Sequence, residues 1–225
     1  MLVVTACIFC RPANRCSRVA FCKKYMDYDF SNVVFLDGVT VVIKHFGSAC
    51  PTFAWRRVND PEPTEFFQSG RSFHVYGAVS AKGKTNLVLI DRKAAFNAER
   101  FQLDVLLPIT RWGDATYGAG NWKLVADHAR QHTAKSTQKF IEEHQVPWLD
   151  AWPAQAQDLN IIENIWGCMK RQIAKFSTIK NTDKSCWQHV QRAWQEIEQQ
   201  TIDNCIADLP RRMQKIIDIE GKLLC

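Results

Sequence analysis

The sequence contains no stretch of about 18 uncharged apolar residues, which excludes a membrane-spanning helix. Residues 1–10, MLVVTACIFC, are its most apolar opening but lack the basic leader and small-residue cleavage site of a secretory signal, so none is expected. Internal repeats, low-complexity tracts and runs of five or more basic residues are also missing, which removes repeat, fibrous and disordered classes and any basic localisation run. Nine cysteines are scattered from Cys7 to Cys225 at irregular spacing. An odd count cannot complete a disulfide framework, and a reducing compartment is the expectation. The charge imbalance is small: 29 Lys+Arg against 23 Asp+Glu give a net charge of +6 in 225 residues, which suits a polyanionic partner without demanding one. Apolar residues are plentiful at 46%, enough for a sizeable core in one domain, with or without an appendage.

The first thirty residues read as such an appendage or approach segment. They hold Cys7, Cys10, Cys16 and Cys22 and five cationic residues from Arg11 to Lys24. Cys7-x-x-Cys10 has the spacing of half a zinc knuckle, but Cys16-x5-Cys22 does not complete one, so free or buried cysteines are expected. From Ser31 the pattern becomes regular. Val33 to Asp37 is a continuous apolar run ending in an acid, the mark of a strand buried on both faces. Further strands are predicted over Val39 to Phe46 and Phe53 to Val58, and Phe73–Val79 and Asn86–Ile90 flank a Gly83-containing loop that reads as a hairpin. The period then changes. A helix is predicted between Asn97 as N-cap and Pro108 as stop. Trp122 to Asp127 is a short strand ending in a second acid, Thr133 to His144 a polar helix with Phe140 and Ile141 inward, and Val146 to Leu149 a brief fifth strand. Leu159 to Ala174 carries Ile162, Ile165, Trp166, Met169 and Ile173 on one stripe, and Cys186 to Cys205 and Leu209 to Ile219 read as two last helices. The fold class is therefore α/β, a mixed sheet flanked by helices. The domain reading is a cysteine-rich approach over 1–30, a main domain over 31–177 and C-terminal helices packed on it over 178–225.

Three acids stand where such a fold could bring them together. Asp37 ends the first strand, Asp127 ends a later one, and Glu163 lies in the first turn of a helix. Adjacent central strands place their C-terminal ends side by side, and a covering helix can aim a first-turn carboxylate at the same point. Three close carboxylates repel one another, so the arrangement calls for divalent cations, and oxygen-only ligands select Mg²⁺ or Mn²⁺. Two such ions would clamp an in-line phosphoryl displacement. Taken singly, each acid has a plain structural reading: Asp37 as a turn former before Gly38, Asp127 as a cap, and Glu163 as the partner of Asn160 in an Asn-x-x-Glu capping box. The spacing, 35 residues between Asp127 and Glu163, and the surrounding strings shift the balance.

Those strings are Val125-Ala126-Asp127-His128-Ala129-Arg130-Gln131-His132-Thr133 and Trp152-Pro153-Ala154-Gln155-Ala156-Gln157-Asp158-Leu159-Asn160-Ile161-Ile162-Glu163-Asn164-Ile165-Trp166. They resemble the catalytic domain of Tc1/mariner-type transposases, and the likeness runs from about Arg18 to the C-terminus. The resemblance implies an RNase H-like fold with a five-stranded sheet and Asp37, Asp127 and Glu163 as catalytic, metal-ligating residues. It also implies cut-and-paste movement of double-stranded DNA, in which water attacks a phosphodiester at the element end and the freed 3′-hydroxyl attacks target DNA. His128, His132, Asn160 and Asn164 are expected to support the acids. Lys123, Arg130, Lys135, Lys139, Lys170 and Arg171 are the candidates for phosphate contact, while Trp152 and Trp166 are expected to pack rather than to stack on bases. A homodimer on DNA and a nuclear location are further expectations of the likeness; a membrane or a small-molecule cofactor is not.

The departures from the family pattern matter too. Gly38 stands where the family usually has Glu, His128 where it has Asn, and Ala156-Gln157 and Ile161 where it has Ser-Pro and Pro. None removes a proposed ligand. Thirty residues ahead of the first strand are too few for the family's tandem helix-turn-helix readers, so recognition of element ends is expected to lie outside this chain. Two other readings follow from these features: a non-catalytic or co-opted remnant that binds DNA or protein, and a nuclease that hydrolyses without joining.

Overall fold

The computed structural model describes residues 10–43, 71–91, 95–175 and 182–224. At its centre is β1 (Val33–Ile43), which pairs antiparallel with β2 (Arg71–Ser80) from Phe35↔Val79 to Ile43↔Arg71. On its other side β1 runs parallel to β5 (Lys123–Val125), with Val33 beside Lys123 and Phe35 beside Val125. β3 (Gly83–Lys84) and β4 (Val88–Ile90) both return along β2, so the mixed sheet has five strands, as expected. The segment read as a fifth strand at Val146–Leu149 is a single parallel bridge from Trp148 to Leu124 at the free side of β5.

The period of two along β1 sorts its side chains between two cores. Val33 and Phe35 join Val125 in one core, while Val34 and Leu36 join Leu124 and Ala126 in the other. Both sets are buried, which is why residues 33–36 form an unbroken apolar run. The second core is closed by a helical stretch made of α2 (Ala98–Arg100), a π turn (Phe101–Leu106) and α3 (Leu107–Tyr117), with Phe140 of α5 (Lys135–Glu143). On the first core lie α1 (Pro12–Lys24), α6 (Ile162–Ala174), α7 (Asp183–Gln195), α8 (Gln199–Ala207) and α9 (Leu209–Asp218). Approach segment and C-terminal helices thus share one hydrophobic core with the sheet. The Trp166 and Trp194 rings meet at 5.0 Å, and the Trp194 indole donates to the Thr85 carbonyl at 2.7 Å, tying α7 to the hairpin.

Several local expectations need correction. The stretches 33–37 and 39–46 are one strand as far as Ile43, beyond which, like the predicted strand at 53–58, they lie outside the described residues. Gly38 is no turn: the Tyr76 ring lies across it, 2.6 Å from where a Cβ would stand, and a side chain there would clash. Pro108 does not stop its helix, because the preceding π turn shifts the hydrogen-bond ladder so that the proline enters at the first turn of α3, where its missing donor costs little. Asn97 does cap, accepting from the Arg100 amide at 3.0 Å. The helix expected over 133–144 is α4 (Arg130–Thr133) followed by α5, parted at Ala134, and the one expected over 186–205 breaks after Gln195, where buried Ile197 turns the chain into α8.

One buried polar knot joins distant parts of the chain. Arg18 of α1 is fully enclosed and forms a two-pronged ion pair with Asp158, at 2.8 and 2.5 Å. Its remaining donors reach the carbonyls of Gly221 at 2.9 Å, Gln155 at 2.5 Å and Lys222 at 3.2 Å. Approach helix, loop and C-terminal tail are pinned together by a single guanidinium whose fork geometry suits the carboxylate. The loop so held leads directly into α6.

Candidate active site

The register of the two parallel strands brings the first two acids together. Continuing the offset that pairs Phe35 with Val125 carries Asp127, two residues past the pair, to the level of Asp37 on the neighbouring strand. Strands lie about 4.8 Å apart, so the two side chains stand side by side where β5 has ended at Val125 and β1 runs on to Ile43. Asp37 has the parity of Phe35 and faces the core under α6. There the Trp166 indole donates to its Oδ2 at 3.0 Å. Glu163 precedes Trp166 by three residues, nearly one helical turn, so it stands above the same point. Asp37, Asp127 and Glu163 all line one open cavity of about 590 Å³, with His128 and Asn160 beside them and the 152–157 loop as the opposing wall.

The electrostatics record this crowding. Burial, then the charge of Glu163, push the Asp37 carboxyl up to about 7, against smaller opposing effects from the Gly38 amide and the Trp166 indole. Burial also raises Glu163, with Lys170 pulling the other way and Asp127 adding to the rise. Asp127 goes in the opposite direction. Its partial burial favours the neutral acid but is outweighed by the hydrogen bond and charge of His132, the Ala129 amide and the charge of His128. His132 Nδ1 stands 2.7 Å from Oδ1 of Asp127 and 3.0 Å from its carbonyl, and the Ala129 amide donates to the same Oδ1 at 3.2 Å. Asp37 and Glu163 are thus pushed up and Asp127 is pulled down, a division that a hard cation would even out.

The other expected site residues fall in different places. His132 is buried behind Asp127, its ring 4.1 Å from that of Phe101. His128 is exposed at the cavity. Asn160 lines the cavity but does not cap α6: the N-cap is Ile161, and the Glu163 amide goes to the Asn160 backbone carbonyl at 3.1 Å. Asn164 turns outward and accepts from Arg212 of α9 at 2.7 Å, so it ties two helices together. Lys170 is exposed on α6 within electrostatic reach of Glu163, and Arg130 follows Asp127 on α4. Lys135 and Lys139 are exposed on α5, the latter 3.5 Å from Glu143, and Arg171 bonds the Cys168 sulfur at 3.0 Å. Lys123 begins β5, at the end of the strand away from Asp127. Trp152 and Trp166 are packed in the core, as expected.

Sequence reading passed over Tyr76 and Gln131. The Tyr76 hydroxyl accepts from Gln131 Nε2 at 2.9 Å, and burial raises its ionisation to about 12. The exchange of a bulky residue for Gly38 on the paired strand was the available signal.

A central mixed sheet with helices on both faces and acids gathered from two neighbouring strands and a covering helix is the RNase H-like architecture. The family model described as DDE superfamily endonuclease matches residues 32–186, and the chain belongs to that family. Its relatives are Tc1/mariner-type transposases, as the motifs implied. The chain is 27% identical over 214 residues to the transposable element Tc3 transposase of Caenorhabditis elegans, covering 92% of this chain and 62% of the relative. It is 28% identical over 218 residues to the transposable element Tcb2 transposase of Caenorhabditis briggsae, covering 92% of this chain and 76% of the relative. Among solved structures, the Mos1 mariner paired-end complex with Mn superimposes with a TM-score of 0.78 at 15% identity, over 100% of this chain and 68% of that one. The Mos1 mariner catalytic domain superimposes with a TM-score of 0.70 at 15% identity, over 95% of both. The chain thus spans under two thirds of the Tc3 relative and nearly all of a solved catalytic domain.

Proposed function

We propose that this chain is the metal-dependent strand-cutting and strand-joining part of a Tc1/mariner-like DNA transposase, with 31–177 as its catalytic unit, 1–30 as an approach segment and 178–225 as C-terminal helices packed on that unit. The observation that carries the reading is the convergence of Asp37, Asp127 and Glu163 on one open cavity beyond the end of β5. Among the described residues no three His, Cys, Asp or Glu side chains stand close enough together to enclose an ion. The donor chemistry nevertheless fits one: the three are all oxygen donors, and two are held above their ordinary range by burial and by neighbouring charge, which a divalent cation relieves. Solved structures of the similar Mos1 transposase catalytic domain with raltegravir include one with Mn and one with Mg.

Asp37, Asp127 and Glu163 would hold Mg²⁺ or Mn²⁺, two ions in this reading, supplying the positive charge that an in-line phosphoryl displacement needs at its attacking and leaving oxygens. The rest is the work of the chain itself. The Trp166 indole fixes Oδ2 of Asp37, and the Gly38 amide also bonds this carboxylate. His132 and the Ala129 amide hold Asp127 ionised and set its direction. The Arg18–Asp158 pair fixes the loop that forms the opposing wall. Duplex DNA would lie across the cavity with phosphates near Arg130 and Lys170, so binding should weaken steeply with salt. A homodimer on DNA and nuclear residence belong to the same reading.

The test is a supercoiled-plasmid nicking assay in Mg²⁺ or Mn²⁺. Wild type should nick, and Asp127→Asn, which keeps shape and removes charge, should not. Equal nicking by both would overturn the assignment. Hydrolysis without joining of a pre-cut 3′-hydroxyl end would mark a nuclease instead. Folded protein with neither activity would mark a remnant.

A further inference from the structure

Asn160 is not explained by its place in the chain. The Asn-x-x-Glu spacing predicts a capping box, yet its side chain caps nothing. The residue is 4% exposed, and neither end of its amide has a hydrogen-bond partner among the described residues; the oxygen is enclosed and unpartnered. A buried polar group left so costs about 1–3 kcal/mol, and native structures rarely keep one without a reason. Asn160 lines the acidic cavity, three residues before Glu163.

We propose that Asn160 contacts the substrate, its side-chain amide donating a hydrogen bond to a non-bridging oxygen of the DNA phosphate that enters this cavity. The inference rests on the strand-cutting reading and deepens it. The three carboxylates can only accept hydrogen bonds and repel a phosphate. A neutral amide among them offers a donor without cancelling the charge that holds cations. Of the loop residues opposite, Gln155 is already engaged, its Oε1 accepting from Asn14 at 2.8 Å and its carbonyl from Arg18. Asn160 is a buried amide of this lining without a partner among the described residues, and it is carried on the turn that starts α6, so its position is fixed relative to Glu163.

The test measures two things on each of wild type, Asn160→Leu, Asn160→Ala and Asn160→Asp. One is the melting temperature of the free protein. The other is affinity, by fluorescence anisotropy, for a short duplex bearing one nick with a 5′-phosphate, in Mg²⁺. A hydrogen bond to a charged oxygen predicts about tenfold weaker binding for Leu and Ala, and weaker still for Asp, which adds a repelling charge. The melting temperature of Asn160→Leu, which keeps the volume, should be unchanged or raised because an orphaned group is removed. Wild-type affinity in the Leu and Ala variants would overturn the proposal, as would a fall in melting temperature in both that matches the loss of binding. Plasmid nicking run alongside separates the two readings. Wild type that does not nick, with Asn160→Leu still binding less tightly, removes the cutting reading and keeps the contact. Wild type that nicks while Asn160→Leu binds as tightly removes the contact and keeps the cutting.

Discussion

Replacing Arg18 by Met should be among the most destabilising single changes available in this chain. The methionine fills much of the arginine's volume but leaves the Asp158 carboxylate, whose side chain is 9% exposed, without its partner. It also strips a donor from each of the Gly221, Gln155 and Lys222 carbonyls. Breaking a buried pair from one side costs about 3–5 kcal/mol, because a charge remains buried and uncompensated. The Leu224 amide still donates to Asp158 at 2.9 Å, which argues for the middle of that range, about 4 kcal/mol. Against a total stability of about 5–15 kcal/mol the change is large, and it corresponds to a fall of roughly 8–16 °C in Tm for a chain this size. Urea unfolding followed by circular dichroism gives the number directly. The double variant Arg18→Met with Asp158→Leu should recover part of the loss, since an apolar pair carries no stranded charge, while the three carbonyls stay without their donor. A loss under about 1 kcal/mol for Arg18→Met, or no recovery in the double variant, would refute the reasoning.

Other perturbations test other parts. With metal chelated, Asp37 has a folded-state value near 7, above its unfolded one, so its contribution to stability is complete below about pH 4 and is lost as pH rises through 7. Melting temperature should fall over that window, and Asp37→Asn should flatten the fall; identical profiles would exclude Asp37 as its source. Gly38→Ala drives a methyl into the Tyr76 ring and should cost about 1–3 kcal/mol, relieved when Tyr76→Leu is added; additive losses in the double variant would contradict the contact. Cys22 is enclosed and its thiol is pushed up to about 11 by burial, whereas Cys16 is exposed. Iodoacetamide on native protein should therefore modify Cys16 and spare Cys22 until denaturant is added, as mass spectrometry of peptides would show.

Much of the sheet and two of the acids were legible because burial on both faces leaves apolar residues that end abruptly in an acid, as at Val33 to Asp37 and again, after Lys123, at Leu124 to Asp127, while Glu163 was legible from the string around it. The stripe of α6 was equally plain, since Ile162, Ile165, Trp166, Met169 and Ile173 recur at the helical period and all are buried. What escaped was set by contacts between distant residues. Gly38 looks like a turn in one dimension and is a clearance for Tyr76 in three. Pro108 looks like a stop because the π turn ahead of it leaves no mark in the apolar pattern. Asn160 matches a capping box by spacing alone, and Arg18 shows nothing of its reach to residues 155, 158, 221 and 222. Long-range polar partners are chosen by packing, and local periodicity does not encode them.

The central claim is that Asp37, Asp127 and Glu163 act together to hold the cations of a DNA-cutting site. The most direct measurement is calorimetric titration of Mn²⁺ into wild type and Asp127→Asn, with circular dichroism to establish that both are folded. Saturable uptake by wild type that is lost or strongly weakened in Asp127→Asn is the expected result. Folded wild type that takes up no ion, or equal uptake by both proteins, would contradict it.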